Sequence, residues 1–186
     1  MDHPYRRHDG PATAALSAQI TDLYRRCYAA PPWSETPEQI AAYPGRLADS
    51  MTRPGFTCWT THDERERLTG VCYGWPTPTD LSGSRTHAML IRALGADATA
   101  DLVRGAFEVA ELFVHPDAQG RGIGGGLLAA AVAGWPTAWL ITSPQAPAAR
   151  LYRRLGWRQM SELPADLYPH LPAAVFATSA DQGGRG

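Results

Sequence analysis

The chain has 186 residues, and its 17 Lys and Arg residues against 18 Asp and Glu residues give a formal net charge of −1. This balance argues against a nucleic-acid-binding surface, and the apolar runs are too short to cross a membrane. The length predicts one domain over residues 1–179, followed by a disordered tail at 180–186. Three cysteines without metal-ligand spacing and an N-terminus without an apolar signal region predict a cytoplasmic protein.

Two helices are predicted in the first part of the chain. Residues 1–10 are expected to be loose or to form a short edge strand. Apolar residues at helical spacing predict a helix over residues 12–28, which ends at a Pro-rich turn. Thr36 as the N-cap and Pro37 at the first position predict a second helix. Pro44 should kink or split that helix.

A hairpin and a long loop are predicted next. Residues 55–60 and 68–75 have the pattern of two strands, and the charged segment 62–67 between them is expected to be a solvated turn. From residue 76 to residue 102 the pattern weakens, which predicts a long loop with one helical turn around residues 87–94.

Strands and helices are predicted to alternate in the rest of the chain. The predicted strands are 106–114, 138–142, 158–163 and 173–178, and the predicted helices are 123–134 and 147–155. The whole order predicts an α/β fold with a single twisted, mostly antiparallel mixed sheet and helices on both faces.

A glycine-rich loop, Gln-Gly-Arg-Gly-Ile-Gly-Gly-Gly at residues 119–126, lies between a predicted strand and the helix that follows it. The first turn of a helix has free N–H groups and partial positive charge, and glycines let a ligand approach the backbone closely. Together with the charge of Arg121, this arrangement predicts a site for a phosphate or pyrophosphate group.

Two other interpretations of this loop stay open. Residues 120–125 match the dinucleotide pattern GxGxxG, which would indicate a nucleotide-binding oxidoreductase, although residues 135–143 offer no ribose-binding acid. A glycine-rich turn without any ligand is the other, although each such glycine costs about 1 kcal/mol relative to alanine in a helix. The six histidines are scattered without metal-ligand spacing, so no metal site is predicted.

Two segments resemble one known family. ELFVHPDAQGRGIGGGLL, residues 111–128, is similar to the acyl-CoA signature of the GCN5-related N-acetyltransferases (GNAT), which is Gln or Arg, then x-x-Gly-x-Gly or Ala. Gln119, Gly122 and Gly124 match that signature. PQAPAARLYRRLGW, residues 144–157, resembles the family segment NxxAxxLYxKLGF. The two matches have the expected order and separation.

The resemblance implies acetyl transfer from acetyl-CoA, the cosubstrate, to an amine. It implies that the cofactor is held by the strand before the loop, by the loop itself, and by the position where the family has an asparagine and this chain has a glutamine. The cofactor-binding residues are therefore expected to be Leu112, Phe113, Val114, Gln119, Gly120, Arg121, Gly122, Ile123, Gly124, Gly125 and Gln145.

An acid and a base are also expected from the resemblance. Tyr152 is the candidate acid that protonates the leaving thiolate, and its alternative role is that of a packed core tyrosine. The candidate base is Glu108 or Glu111 on the strand 106–114, and a water-mediated base or no base at all is the remaining alternative. Family members with a glutamate base on this strand have it on the Glu108 face, and a strand bulge could bring Glu111 there instead. For both, a salt bridge to an arginine such as Arg104 is the alternative.

The acceptor site is expected at the helix-helix junction, with aromatic walls that could enclose a cation or an apolar amine. Its candidate residues are Trp33, Tyr43, Tyr73 and Trp75. The chemical identity of the acceptor amine stays open. The resemblance implies that the protein could form a homodimer, and nothing in the sequence tests this. A catalytically silent acyl-CoA-binding regulatory domain is the competing function.

Overall fold

The computed structural model describes residues 5–166 and 172–179, so the predicted tail at 180–186 lies outside the described residues. Contacts group the chain into two compact units. The first unit consists of Met1–Trp75 and Val109–Ala133, and the second consists of Pro76–Glu108 and Gly134–Gly186. The single domain stays a prediction.

The described residues form an open, mixed sheet of seven strands. The strands are β1 (Arg6–His8), β2 (Thr57–His62), β3 (Leu68–Pro76), β4 (Ala106–Val114), β5 (Thr137–Thr142), β6 (Arg158–Glu162) and β7 (Ala174–Ser179). Their order in the sheet is β1-β2-β3-β4-β5-β7-β6. The β4–β5 pair is parallel, and β1–β2, β2–β3, β5–β7 and β6–β7 are antiparallel. The predicted mixed, mostly antiparallel sheet is thus confirmed.

Helices cover both faces of the sheet in the first unit. The helices of the described chain are α1 (Gly10–Ala14), α2 (Ser17–Tyr28), α3 (Pro37–Met51), α4 (Arg85–Leu94), α5 (Ala96–Val103), α6 (Ile123–Val132) and α7 (Pro147–Arg154). Val71 and Tyr73 belong to a core with residues of α2 and α3. A side chain at Gly70 would instead collide with Leu127 and Ile123 of α6. Because neighbouring strand residues point to opposite faces, α6 lies opposite α2 and α3.

The predicted helix over residues 12–28 is wrong in one respect, because the structure has two helices there. The Asp9 side chain caps α1 by accepting the N–H of Ala12 at 2.9 Å. The N–H of Leu16 then bonds to the carbonyl of Thr13, three residues back. This tighter turn ends α1 before α2 begins.

The predicted split at Pro44 is also wrong, since α3 continues through it, and the kink predicted there as the alternative stays a prediction. Thr36 and Gln39 form a capping box at the start of α3, as the predicted cap position requires. Tyr43 and Leu47 are fully buried, whereas Pro44 lies on the exposed side. Burial of these apolar side chains outweighs the cost of about 3 kcal/mol for an internal proline.

The predicted loop over residues 76–102 contains two helices, α4 and α5. The hydroxyl of Ser84 caps α4 by accepting the N–H of His87 at 3.0 Å, and Gly95 separates the two helices with φ 84°. Their apolar residues Met89, Leu90 and Leu102 are buried in the core of the second unit. The single helical turn predicted around residues 87–94 lies within α4, whereas α5 was not predicted.

Candidate active site

Within the described residues, the start of α6 has an exposed helix N-terminus without a side-chain cap. Gly122 is the N-cap of α6 with φ 81°, and Gly120 has φ 74°. Both glycines are exposed, and no side chain of the described residues caps the helix. The N–H groups of its first turn, at Ile123, Gly124 and Gly125, therefore remain available to an anion.

Gly126 serves a different purpose from the glycines before it. A Cβ atom at this position would overlap the hydroxyl of Tyr5. Gly126 is therefore needed so that Tyr5 can lie against α6, which gives this glycine a packing role. No local pattern indicates this contact with Tyr5, since the two residues are far apart in the chain.

Gln119 connects the loop to the end of β4. Its side-chain Nε2 donates to the carbonyl of Val114 at 3.0 Å, and the thiol of Cys27 donates to the same oxygen at 3.4 Å. The side chain of Gln119 is thus engaged in closing the loop, which orients the backbone from Gly120 onward. Its direct contact with the cofactor stays a prediction.

The later part of β4 presents a strand edge. The parallel ladder pairs Ala106, Phe107 and Glu108 with β5, and it does not extend further along β4. Within the first unit, β4 is the last strand of the order β1-β2-β3-β4. Leu112 and Val114 are half-buried, and Phe113 is buried. An exposed strand edge of this kind can pair with an extended ligand arm.

A groove of about 720 Å³ lies next to the loop in the first unit. It is lined by the charged residues of α2, of the β2–β3 turn and of the loop, which include Arg26, Arg67 and Arg121. Arg26 pairs with Asp22, and Arg67 pairs with Asp63. Arg121 is exposed and forms no ion pair within residues 5–166 and 172–179, so its charge is available to a ligand.

In the first unit, the carboxylate of Glu111 on β4 lies among aromatic residues. Its Oε2 accepts a hydrogen bond of 2.9 Å from the hydroxyl of Tyr28. Burial raises the pKa of Glu111 from its ordinary value of 4.5 to about 7, and the hydrogen bond from Tyr28 opposes that rise. A carboxyl group of this pKa can accept and release a proton near neutral pH.

Aromatic rings stack in a row beside Glu111. Tyr24 stacks on Tyr28 with centroids 4.1 Å apart and on Tyr43 at 3.6 Å. Trp33 meets the ring of Tyr28 at 5.5 Å, and the hydroxyls of Tyr43 and Tyr73 are 3.3 Å apart. Three of the predicted acceptor residues therefore gather in one cluster, which we call the tyrosine cluster (Tyr24, Tyr28, Trp33, Tyr43, Tyr73 and Phe113).

The fourth predicted acceptor residue, Trp75, is buried in the same core. The guanidinium of Arg53 lies 5.1 Å from the centroid of its ring. A cation on a buried tryptophan indicates packing together with a cation–π contact. Its contact with an acceptor stays a prediction.

An ion pair adjoins the tyrosine cluster, and the sequence analysis missed it. Tyr24 donates to Oε1 of Glu35 at 2.8 Å, and Arg46 donates to the hydroxyl of Tyr24 at 2.7 Å. Nη2 of Arg46 lies 3.9 Å from Oε2 of Glu35. The repeat of Tyr24 and Tyr28 one helical turn apart was the available signal, but their polar partners lie on other segments.

The remaining predicted site residues belong to the second unit. Glu108 is half-buried and lies opposite Trp139 in the β4–β5 ladder. Tyr152 is buried, with its ring against Trp157 at 5.8 Å and Phe176 at 6.1 Å. Gln145 is exposed, and its N–H bonds to the hydroxyl of Ser143 at 3.4 Å. The roles of these residues stay predictions.

The described part of the chain contains neither a candidate membrane-spanning helix nor a cluster of metal-ligand residues. None of its helices has both the length and the apolar character that a bilayer crossing requires. No three His, Cys, Asp or Glu residues within it come together in a way that could hold a metal ion.

Several solved structures with the same fold carry the name acetyltransferase. A protein of the GNAT family from Desulfovibrio desulfuricans has a TM-score of 0.66 and 17% identity, over 96% of this chain and 99% of its own. The histone acetyltransferase HPA2 and related acetyltransferase from Corynebacterium glutamicum has a TM-score of 0.66 and 17% identity, over 96% and 97%. A phosphinothricin acetyltransferase from Sinorhizobium meliloti, solved with acetyl-CoA, has a TM-score of 0.63 and 21% identity, over 96% and 89%.

The family follows from the sequence match rather than from these distant structures. No curated protein sequence matches the chain. The model of the acetyltransferase (GNAT) domain matches residues 55–159, which is more than half of the chain and includes β4, the glycine loop and α7. The chain therefore belongs to the GNAT family of acetyltransferases, which use acetyl-CoA as their cosubstrate.

Proposed function

We propose that this protein is an acetyl-CoA-dependent N-acetyltransferase in which Glu111 is the general base for an amine acceptor. The observation that carries the proposal is the environment of Glu111. Burial brings the pKa of Glu111 to about 7, and aromatic side chains surround it in the same unit as the glycine loop. Membership of the GNAT family supports the reaction class.

The residues of the first unit fit the cosubstrate. The exposed glycines 120 and 122 and the uncapped first turn of α6 suit a pyrophosphate, and Arg121 adds a positive charge. The strand edge at Leu112 and Val114 suits an extended arm. When bound, acetyl-CoA supplies the acetyl group as a thioester.

Glu111 would remove the proton that the amine must lose. In the transfer, the amine nitrogen forms a bond to the acetyl carbon, the carbon–sulfur bond breaks, and the sulfur leaves with the bonding electron pair. The amine proton passes to Glu111 directly or through water. The leaving sulfur takes up a proton, for which the family resemblance nominates Tyr152. Glu111 then returns its proton to solvent, and Tyr152 takes up a proton from solvent, so both groups regain their starting states.

The tyrosine cluster would bind the acceptor. Aromatic faces attract a cation or cover an apolar amine, and Trp33 and Tyr28 are the half-buried members beside Glu111. The remaining rings of the cluster support these two. The cluster fits an amine acceptor in general, and small-molecule, peptide and protein amines all stay within the proposal.

An amine panel tests this function. The purified protein is mixed with acetyl-CoA and with polyamines, aminoglycosides, amino acids and peptides, and release of free thiol is measured. Acetylation of at least one amine, with a rate that rises through a pKa near 7, is the expected result. Binding of CoA without transfer to any amine contradicts the proposal and indicates the silent acyl-CoA-binding domain. Tight binding of NAD without CoA binding indicates the oxidoreductase.

A further inference from the structure

Tyr28 is fixed in the position from which it contacts Glu111. Its ring stacks on Tyr24 at 4.1 Å and at 19°, and it meets the edge of Phe113 at 5.9 Å and Trp33 at 5.5 Å. Rings on several sides restrict rotation of the side chain, so its hydroxyl is held 2.9 Å from Oε2 of Glu111. α2 thus supplies a hydrogen-bond donor to a carboxyl group on β4, 83 residues along the chain.

We propose that Tyr28 is a positioning residue for acetyl transfer, whose hydroxyl holds Glu111 in one orientation and favours its carboxylate form. The proposal rests on the proposed function, because it assigns a partner to the base named there. Tyr28 occupies Oε2, and Oε1 is then the oxygen that accepts the amine proton. A hydroxyl donor on a carboxylate stabilises the charged form, as a neighbouring cation does but without adding charge to the acceptor site.

Other groups face Glu111 from the elements packed against it. They are Tyr24 of α2, Glu35 of the segment before α3, Tyr43 and Arg46 of α3, and Cys72 and Tyr73 of β3. Burial keeps the tyrosine and cysteine groups neutral by raising their pKa values. Arg46 lowers and Glu35 raises the pKa of Glu111, so this ion pair partly cancels. Tyr28 is the group that donates a hydrogen bond to it directly.

The substitution Tyr28→Phe separates this role from packing, because it keeps the ring and removes the hydroxyl. The pKa of Glu111 is expected to rise by about 0.5–1 unit, the size of one lost hydrogen bond. The rising limb of the pH–rate profile should shift to higher pH by the same amount. Turnover at pH 6.5 is then expected to fall by about 3- to 10-fold and to recover largely at pH 9.

The matched control is Tyr24→Phe, one helical turn earlier in the same stack. It removes a hydroxyl that bonds to Glu35 and Arg46 rather than to Glu111. Both charges remain in place and continue to oppose each other at Glu111. The pKa of Glu111 in this variant is expected to stay within about 0.3 unit of the wild-type value.

Titration of the Glu111 carboxyl carbon by NMR provides a readout that needs no turnover, with Glu111→Gln used to assign the signal. An upward shift in Tyr28→Phe, absent in Tyr24→Phe and matched by the rate profile, supports the proposal. An unshifted titration in Tyr28→Phe overturns it, and so does a shifted titration with an unchanged rate profile. If the wild type acetylates no amine, the proposed function fails, and the titration alone decides whether Tyr28 favours the carboxylate.

Discussion

Replacing Glu111 by glutamine should lower turnover and stabilise the fold at alkaline pH. Glutamine has nearly the same shape, and its amide oxygen can still accept the hydrogen bond from Tyr28. The substitution removes only the ability to accept a proton and to become charged. Turnover is expected to fall by about 10²- to 10⁴-fold, and its rise through a pKa near 7 should disappear.

The effect on stability follows from the same pKa. Glu111 ionises near 4.5 in the unfolded chain and near 7 in the folded protein, so folding favours its protonated form. The free energy of unfolding therefore loses nothing below pH 4.5, falls as the pH rises from 4.5 to 7, and stays lowered above 7. At about 1.4 kcal/mol per pKa unit the full loss is about 3 kcal/mol. Because Glu111 is only partly buried, we expect about 1–3 kcal/mol.

Urea unfolding at pH 5 and pH 8 measures this difference for wild type and Glu111→Gln. Relative to wild type, the variant should gain about 1–3 kcal/mol between pH 5 and pH 8. Glu38→Gln is the matched control, because Glu38 is exposed at the start of α3 and its pKa is lowered by hydrogen bonds to the helix start. It should gain no stability at pH 8 and should keep the wild-type rate profile.

Two results would refute this reasoning. If Glu111→Gln is no more stable than wild type at pH 8, the carboxyl group does not have a raised pKa in the folded protein. If Glu108→Gln loses the rate limb near pH 7 while Glu111→Gln keeps it, the base is the glutamate of the β4–β5 ladder. If both variants keep the wild-type turnover, no carboxylate of β4 acts as the base.

Three further substitutions test the loop and the acid. A side chain at Gly122 would have open space around it, but valine disfavours the φ of 81° that this position needs. Gly122→Val should therefore weaken CoA binding, measured by calorimetry, at least 10-fold, or about 1.4 kcal/mol, while the protein stays folded. Gly126→Ala should lower the melting temperature by overpacking against Tyr5, at a cost of about 1–3 kcal/mol, and Tyr5→Ala in the same chain should restore part of it. Tyr152→Phe should lower turnover by about 10- to 10³-fold with little change in melting temperature. A lower melting temperature with wild-type turnover would make Tyr152 a structural residue.

The sequence alone determined the features that depend on neighbouring residues. A short apolar run rich in aromatic and β-branched residues, together with the residues that flank it, predicted β4 at its observed bounds, and the glycines predicted where α6 begins. Thr36 and Pro37 predicted the start of α3. Each of these signals lies within a few residues of the feature it predicts, because capping, strand pattern and turn conformation are set by the local backbone.

Only the tertiary structure decided that the pKa of Glu111 is raised and which tyrosine contacts its carboxyl group. The sequence favoured Glu108 over Glu111 from strand alternation and the family pattern, but a pKa depends on burial and on distant partners. Tyr28 reaches Glu111 across 83 residues, and Tyr5 explains Gly126 across an even longer separation. The core that buries residues of α4 and α5, and the core that buries Tyr43 and Leu47 on either side of Pro44, likewise form between segments far apart in the chain. Local sequence patterns cannot predict such contacts, because residues far apart in the chain become buried against each other only when the whole chain folds.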